Sequence, residues 1–243
     1  MTTVRAIVKS SVNLLQVMSV DSSSKVSLEG GEPYRSKGQS SRTTILLAAA
    51  KLATTKGLTG LSIGDLASEV GMSKSGLYAH FKSKEELELA TIETAATIFD
   101  SEVLQPAMKA QGGTERLKLL VSSFLSHLER RVFPGGCFFA SVAAELDTRP
   151  GQARDRVVEI LGQWLSLLRQ CILEAQDLGE IDPNAEVAQV VFEIEAMLLA
   201  GNFLFAMMND PIHLTQAYRG MENVLARLAV AESKQKRSAR RKS

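Results

Sequence analysis

The stretch IGDLASEVGMSKSGLYAHFKSKEEL, Ile63 to Leu87, gathers hydrogen-bond donors in one place: Lys74, Ser75, Gly76, Tyr78 and His80, followed by Lys82 and Lys84. An ammonium group can donate to the acceptor edge of guanine, a hydroxyl can donate or accept, and a glycine lets the backbone come close to a partner. Lysines at the start of a helix, beside its exposed amides, suit phosphate oxygens. Such chemistry fits a polyanion with readable edges, provided a rigid element presents the donors together.

Catalytic chemistry has no comparable cluster. The histidines are His80, His127 and His213, with no His-Glu-x-x-His, no Gly-x-Ser-x-Gly and no phosphate-binding loop. Glu193 and Glu195 fall on different faces of a helix. Cys137 and Cys171 have a poor metal-ligand spacing and read as buried free thiols. The expectation is a protein that is not an enzyme and carries no metal or cofactor.

The donors are positioned by two short helices that cannot stand alone and must be held by packing. Ser62 and Asp65 have capping-box spacing and start the first, whose Ile63, Leu66, Ala67 and Val70 face inward. Gly71 ends it in a left-handed conformation. Ser73 caps the second, whose Leu77 and Phe81 point back to the first and leave Lys74, Ser75, Gly76, Tyr78, Ala79 and His80 outward or sideways. This is a helix-turn-helix, whose second helix fits the major groove of duplex DNA. A competing reading is a helical interaction module that uses the same basic hairpin on a protein partner.

Charge is segregated along the 243 residues although the net value is only +1. Residues 1–41 carry five bases against three acids, residues 42–84 six against two, residues 85–231 eleven against 21, and residues 232–243 six against one. A basic segment on an acidic body suggests one face for a polyanion and another for a different partner. Residues 19–41 are rich in Ser, Gly and Lys without apolar periodicity, so 1–41 reads as a disordered arm and 233–243 as a basic tail. The first twenty residues lack an unbroken apolar core or a small-x-small cleavage site, and no apolar run approaches membrane-spanning length. A cytoplasmic protein is expected, with no membrane partner.

From Arg42 onward the pattern is helical throughout, giving an all-α chain with helices expected at 42–56, 63–70, 74–80, 84–109, 114–132, 137–147, 151–178, 184–209 and 212–232. Pro106 should kink or end the fourth, and Asp182 followed by Pro183 reads as the start of the eighth.

The run LSIGDLASEVGMSKSGLYAHFKSKEEL, preceded by RTTILLAAAKLATTKGL, resembles the DNA-binding domain of TetR-family transcriptional repressors over residues 42–89. The stretch GGCFFASVAAELDTRPGQARD and the helices after it are similar to one type of C-terminal domain in that family. The resemblance implies a helix-turn-helix DNA-binding domain at 42–88 and a helical ligand-binding and dimerisation domain at 89–232. It implies DNA contacts by Lys74, Ser75, Gly76, Tyr78 and His80, with Lys84 on a phosphate. Ala79 stands where the family often has a second aromatic, and Gly64 where the supporting helix often presents a polar side chain.

Most aromatics lie in the body: Phe124, Phe133, Phe138, Phe139, Trp164, Phe192, Phe203 and Phe205. The family resemblance implies an enclosed small-molecule ligand, with Phe124, His127, Phe138, Trp164 and Met197 as the expected lining. The ligand expected is apolar or aromatic, neutral or cationic. The last two helices offer Val187, Val190, Val191, Ile194, Leu198, Phe205, Leu225 and Leu228, and in the family such helices form a four-helix interface. A homodimer on a palindromic operator, acting as a repressor released by the ligand, is the expectation.

Overall fold

The computed structural model describes residues 37–230; the arm expected ahead of them and the basic tail expected at 233–243 lie outside the described residues. The helices are α1 (Lys37–Lys56), α2 (Ile63–Glu69), α3 (Lys74–Tyr78), α4 (Lys84–Phe99), α5 (Gln105–Ala107), α6 (Gly113–Glu129), α7 (Phe138–Leu146), α8 (Gln152–Asp177), α9 (Val187–Met208) and α10 (Ile212–Leu228). Among the described residues there is no strand, only an isolated bridge between Ile181 and Ala229. The chain divides into two compact units: residues up to Asp100 with Ser141–Ile160, and Ser101–Ala140 with the residues from Leu161 onward.

In the first unit, α1 begins at Lys37 rather than near Arg42, so the end of the expected arm is helical. Ile45, Ala49 and Ala53 line its buried side, and Leu66 of α2 and Leu77 of α3 are completely buried. Truncating either leucine to alanine would cost about 2–5 kcal/mol. Helices α2, α3 and α4 are each capped by a serine: Asp65 N donates to Ser62 Oγ at 3.0 Å, Gly76 N to Ser73 Oγ at 3.1 Å and Glu86 N to Ser83 Oγ at 3.1 Å. The Asp65 carboxylate accepts from the Ser62 hydroxyl at 2.8 Å and pairs with Lys56 at 3.2 Å, instead of reaching the Ser62 amide. Those two partners hold its carboxyl below the usual range. Arg42 pairs with Glu86 at 3.2 Å and lies 4.6 Å over the Phe81 ring, fixing the entry to α4 against α1.

The loop between α1 and α2 is gripped from two sides. Glu145 of α7 accepts from Leu58 N at 2.6 Å and Thr59 N at 2.9 Å, and also from the Thr59 hydroxyl. Arg149 donates to that hydroxyl at 2.8 Å, and Lys84 donates to the Thr59 carbonyl oxygen. Gly57 has φ +81, and a Cβ there would sit 3.0 Å from the Glu145 carboxylate, so glycine is required both for the turn and for the carboxylate's approach.

The helix expected at 84–109 is not uniform. It is regular to Phe99, widens into a π-turn over Asp100–Leu104 and resumes briefly as α5. Pro106 lacks an N–H and its ring crowds the carbonyl one turn back, which the wider turn relieves.

In the second unit, α9 and α10 form an antiparallel pair. A Cβ at Gly201 would lie 2.8 Å from Ala217 Cβ, so the two backbones approach as closely as glycine permits. Helix α9 starts at Val187, capped by Glu186, rather than at 184. Asp182 instead accepts from Asn184 N at 2.8 Å, closing a tight turn in which Pro183 sits outside the helix. Helix α10 stops at Leu228, short of the expected 232. Helix α9 also corrects the reading of apolar runs, being long and apolar enough by composition to cross a membrane. It nevertheless carries Glu193 and Glu195 and buries Val190, Ile194, Leu198 and Phe205 against its own unit.

His127 of α6 is buried, with Phe133 against its ring at 5.5 Å. Burial pushes its pKa down to about 4; Glu102 opposes that shift and Arg130 adds to it.

Two expectations follow from these cores. Glu145→Ala strands two amides and should destabilise the first unit by about 2 kcal/mol, with hydrogen exchange quickened at Leu58 and Thr59; unchanged exchange there would contradict the grip. In the unfolded chain His127 takes a proton near 6.5, whereas folded it stays neutral to about 4. Stability should therefore decline as pH falls through that window, and His127→Leu should remove that part of the decline in urea melts.

Candidate functional site

The donors on α3 are presented as the sequence pattern requires. Lys74 and Ser75 are exposed, Tyr78 is 63% exposed, and Gly76 and His80 are partly covered, while Leu77 and Phe81 are buried on the opposite side. His80 lies just beyond the last helical residue. Ser75 shares a 3.1 Å hydrogen bond with the capping Ser73 hydroxyl. A Cβ at Gly64 would lie 3.4 Å from Lys74 Cε, so the lysine stem runs over the start of α2 in the space that the glycine leaves. Gly64 thus shapes the path of Lys74 rather than supplying a contact of its own.

Lys84 is more than half exposed, and its ammonium is already tied to the Thr59 carbonyl and, at 3.9 Å, to Glu88. Burial raises the Glu88 carboxyl above its usual value, Lys84 lowers it, and Glu145 and Glu85 raise it. An ammonium has three donors, so Lys84 can hold Thr59 and still offer an N–H to a phosphate. Lys74, Lys82 and Lys84 are all exposed, forming a basic strip around the capped helix starts.

Of the residues expected to line a ligand site, the second unit places four in two groups of ring contacts. Phe124 and Trp164 stack with centroids 6.2 Å apart and planes 27° from parallel. His127, Phe133 and Phe138 form a second group, a chain of ring contacts at 5.5 and 5.8 Å. Met197 lies elsewhere: its sulfur sits over Gly220 of α10. Sequence reasoning missed Glu195, whose carboxylate accepts from the Trp164 indole at 2.8 Å. The available signal was an acid on an otherwise apolar helix. Also missed was Asn202, whose side-chain oxygen accepts from Cys137 N at 2.8 Å and closes the turn at Gly136. Burial raises both thiols, Cys137 to about 11 and Cys171 to about 12, which keeps them unreactive near neutrality.

The apolar residues of the last two helices divide between the core and the surface, with Val187 and Leu228 partly covered. Val190, Val191, Ile194, Leu198, Phe205 and Leu225 are buried within the chain. Phe192, Leu199, Phe203 and Met207, at helical spacing on the other face of α9, are exposed instead. Phe192 and Phe203 are therefore not core aromatics.

With this geometry in place, residues 45–91 match the family model described as "Bacterial regulatory proteins, tetR family", and residues 113–221 that described as "Tetracyclin repressor-like, C-terminal domain". The chain is 23% identical over 135 residues to the HTH-type transcriptional repressor DhaR of Mycobacterium sp. (strain GP1), covering 52% of this chain and 62% of that protein. It is 31% identical over 88 residues to the HTH-type transcriptional activator FasR of Mycolicibacterium smegmatis, covering 36% and 40%. The matched regions thus span less than two thirds of the length of these two relatives. A TetR transcriptional regulator from Chloroflexus aurantiacus J-10-FL has the same fold, with TM-score 0.74, 26% identity, and coverage of 80% of this chain and 99% of that one. Two models of one family, one matched by each half of the pattern, leave a single assignment: the chain belongs to the TetR family of bacterial transcriptional regulators, a family of DNA-binding proteins rather than enzymes.

Proposed function

We propose that this chain is a cytoplasmic homodimeric repressor that reads a palindromic operator and leaves it when a small molecule binds. Residues 42–88 form the DNA-reading domain in this proposal, and residues 89–232 the ligand-binding and dimerisation domain. The observation that carries the reading is the exposed row of Lys74, Ser75 and Tyr78 on a serine-capped helix, followed by the partly covered His80, with Leu77 and Phe81 buried on the opposite side. Lys74 and Tyr78 supply base-edge contacts, and Lys84 a phosphate contact.

The dimer reading is supported by the stripe of Phe192, Leu199, Phe203 and Met207. Four large apolar side chains on one helix face form the kind of patch that soluble chains cover with a partner. A two-fold axis there presents two reading helices to two half-sites.

Ligand release is supported by the make-up of α7. Phe138 at its start packs its ring against Phe133 and Phe139, in the group that includes His127, and Glu145 near its end holds the Leu58 and Thr59 amides. A ligand that displaces the aromatic rings can shift that helix and slacken the grip on the loop before α2. The spacing of the reading heads then no longer matches one helical turn of DNA.

In gel shifts at a palindromic site from the gene's own upstream region, Lys74→Ala should alter base preference by about 1–3 kcal/mol at one position. Lys84→Ala should weaken all sequences alike and lower the salt slope by about one unit. Phe203→Lys should give monomers by sedimentation and lose cooperative two-half-site binding. Unchanged affinity and preference in Lys74→Ala would defeat the recognition-helix assignment.

Release also obeys linkage: the factor by which a ligand weakens operator binding must equal the factor by which operator weakens ligand binding. For a releasing compound, titrating Trp164 fluorescence with and without saturating operator should return that same factor; identical ligand affinities in both titrations would rule the mechanism out for that compound.

A further inference from the structure

We propose that Glu88 competes with DNA phosphate for the Lys84 ammonium, and so sets the strength of the sequence-independent part of operator binding. This rests on the reading above that Lys84 contacts a phosphate, and it adds the residue that governs how freely Lys84 can do so.

Three acids follow the serine cap of α4, each in different surroundings. Glu85 is exposed. Glu86 is committed to the entry of the helix: one oxygen pairs with Arg42 at 3.2 Å and the other accepts from Lys82 N at 2.9 Å. Glu88, one turn on from Lys84, has only 15% of its side chain exposed and lies 3.9 Å from Lys84 Nζ, its one ion-pair partner among the described residues. Of the charges that act on Glu88, Lys84 favours the ionised carboxylate, whereas Glu145 and Glu85 oppose it, as burial does.

Lys84 is therefore held between two acceptors of its own unit, the Thr59 carbonyl and the Glu88 carboxylate, while its side chain is 56% exposed. The ammonium has three donors, and an N–H directed at either acceptor is lost to a phosphate. The two acceptors act differently on a DNA contact. The carbonyl positions the ammonium and leaves its charge intact; the carboxylate offsets that charge at the point where a phosphate would use it. With most of its surface covered, Glu88 has little room to swing away when a phosphate arrives. Neutralising it returns one positive charge to the DNA face of each reading head. That strengthens all sequences alike, because phosphates carry no sequence information.

The test measures the full-length chain on its operator and on a random duplex of equal length, by gel shift across a salt series. The variants are Glu88→Gln, Lys84→Ala and the two combined, with folding checked by circular dichroism melting. Glu88→Gln should tighten binding to both duplexes by about fivefold near 0.1 M salt, two reading heads contributing. In the Lys84→Ala background the same exchange should change affinity by less than about twofold, since the competitor has lost what it competes for. Glu85→Gln removes an equal charge from an exposed neighbour, and any gain it gives should survive in that background. Glu88→Met, of similar length and apolar, should reproduce Glu88→Gln. No gain from either Glu88 variant, or a gain that persists in full without Lys84, would overturn the proposal. Unchanged affinity and salt slope in Lys84→Ala would remove the phosphate assignment together with it. Weakened binding in Lys84→Ala with no gain from Glu88→Gln would remove the competition alone and leave the DNA-reading assignment standing.

Discussion

The reading surface depends on how one carboxylate holds one loop. Glu145 takes both the Leu58 and Thr59 amides, while Arg149 and Lys84 take the Thr59 hydroxyl and carbonyl, so the turn into α2 is fixed at every polar atom of Thr59. Helices as short as α2 and α3 have no stability of their own. Their orientation is set by the loop that delivers the chain to them and by the buried Leu66 and Leu77. A carboxylate accepting backbone N–H groups makes strong, directional bonds, which suits a joint that must be stiff and yet able to be released. Lys84 serves twice in this arrangement, as a staple on Thr59 and as an exposed cation near α3.

The second unit shows a different use of charge. Arg116 grips Glu174 through hydrogen bonds of 2.8 and 3.1 Å, and Arg130 is paired with Glu102. Against that background of paired ions, the part-buried Glu195 carboxylate has the Trp164 indole as its hydrogen-bond partner, and burial raises its carboxyl. Its neighbours Trp164 and Phe124 are buried and stacked on each other, so the indole that donates to Glu195 is held by packing as well as by the hydrogen bond.

Helix α9 answers two demands at once. One face, with Val190, Ile194, Leu198 and Phe205, closes the core of its own unit; another, with Phe192, Leu199, Phe203 and Met207, remains apolar and exposed. This doubling explains a composition apolar enough for a bilayer in a helix whose inner face has a protein core to cover it. It also explains why Phe192 and Phe203 are exposed although they recur at helical spacing: they lie on the outer side of the helix.

What was legible in the sequence is what local rules decide. Ser62 and Ser73 before apolar periodicity, Gly71 at a left-handed end, and Leu77 with Phe81 opposite Lys74 and Tyr78 follow from capping and helical geometry, and the structure places each accordingly. The disturbance before Pro106 follows equally from a missing N–H. Tertiary structure alone decided the rest, because it depends on which groups become neighbours across long stretches of chain. No spacing rule joins Glu145 to Thr59, 86 positions away, or Glu195 to Trp164, 31 positions away. The start of α9 moved from Asp182 to Val187 because the Asp182 side chain found a closer use in its own turn. Periodicity identifies a helix face as apolar; only packing determines whether that face meets its own chain or remains exposed.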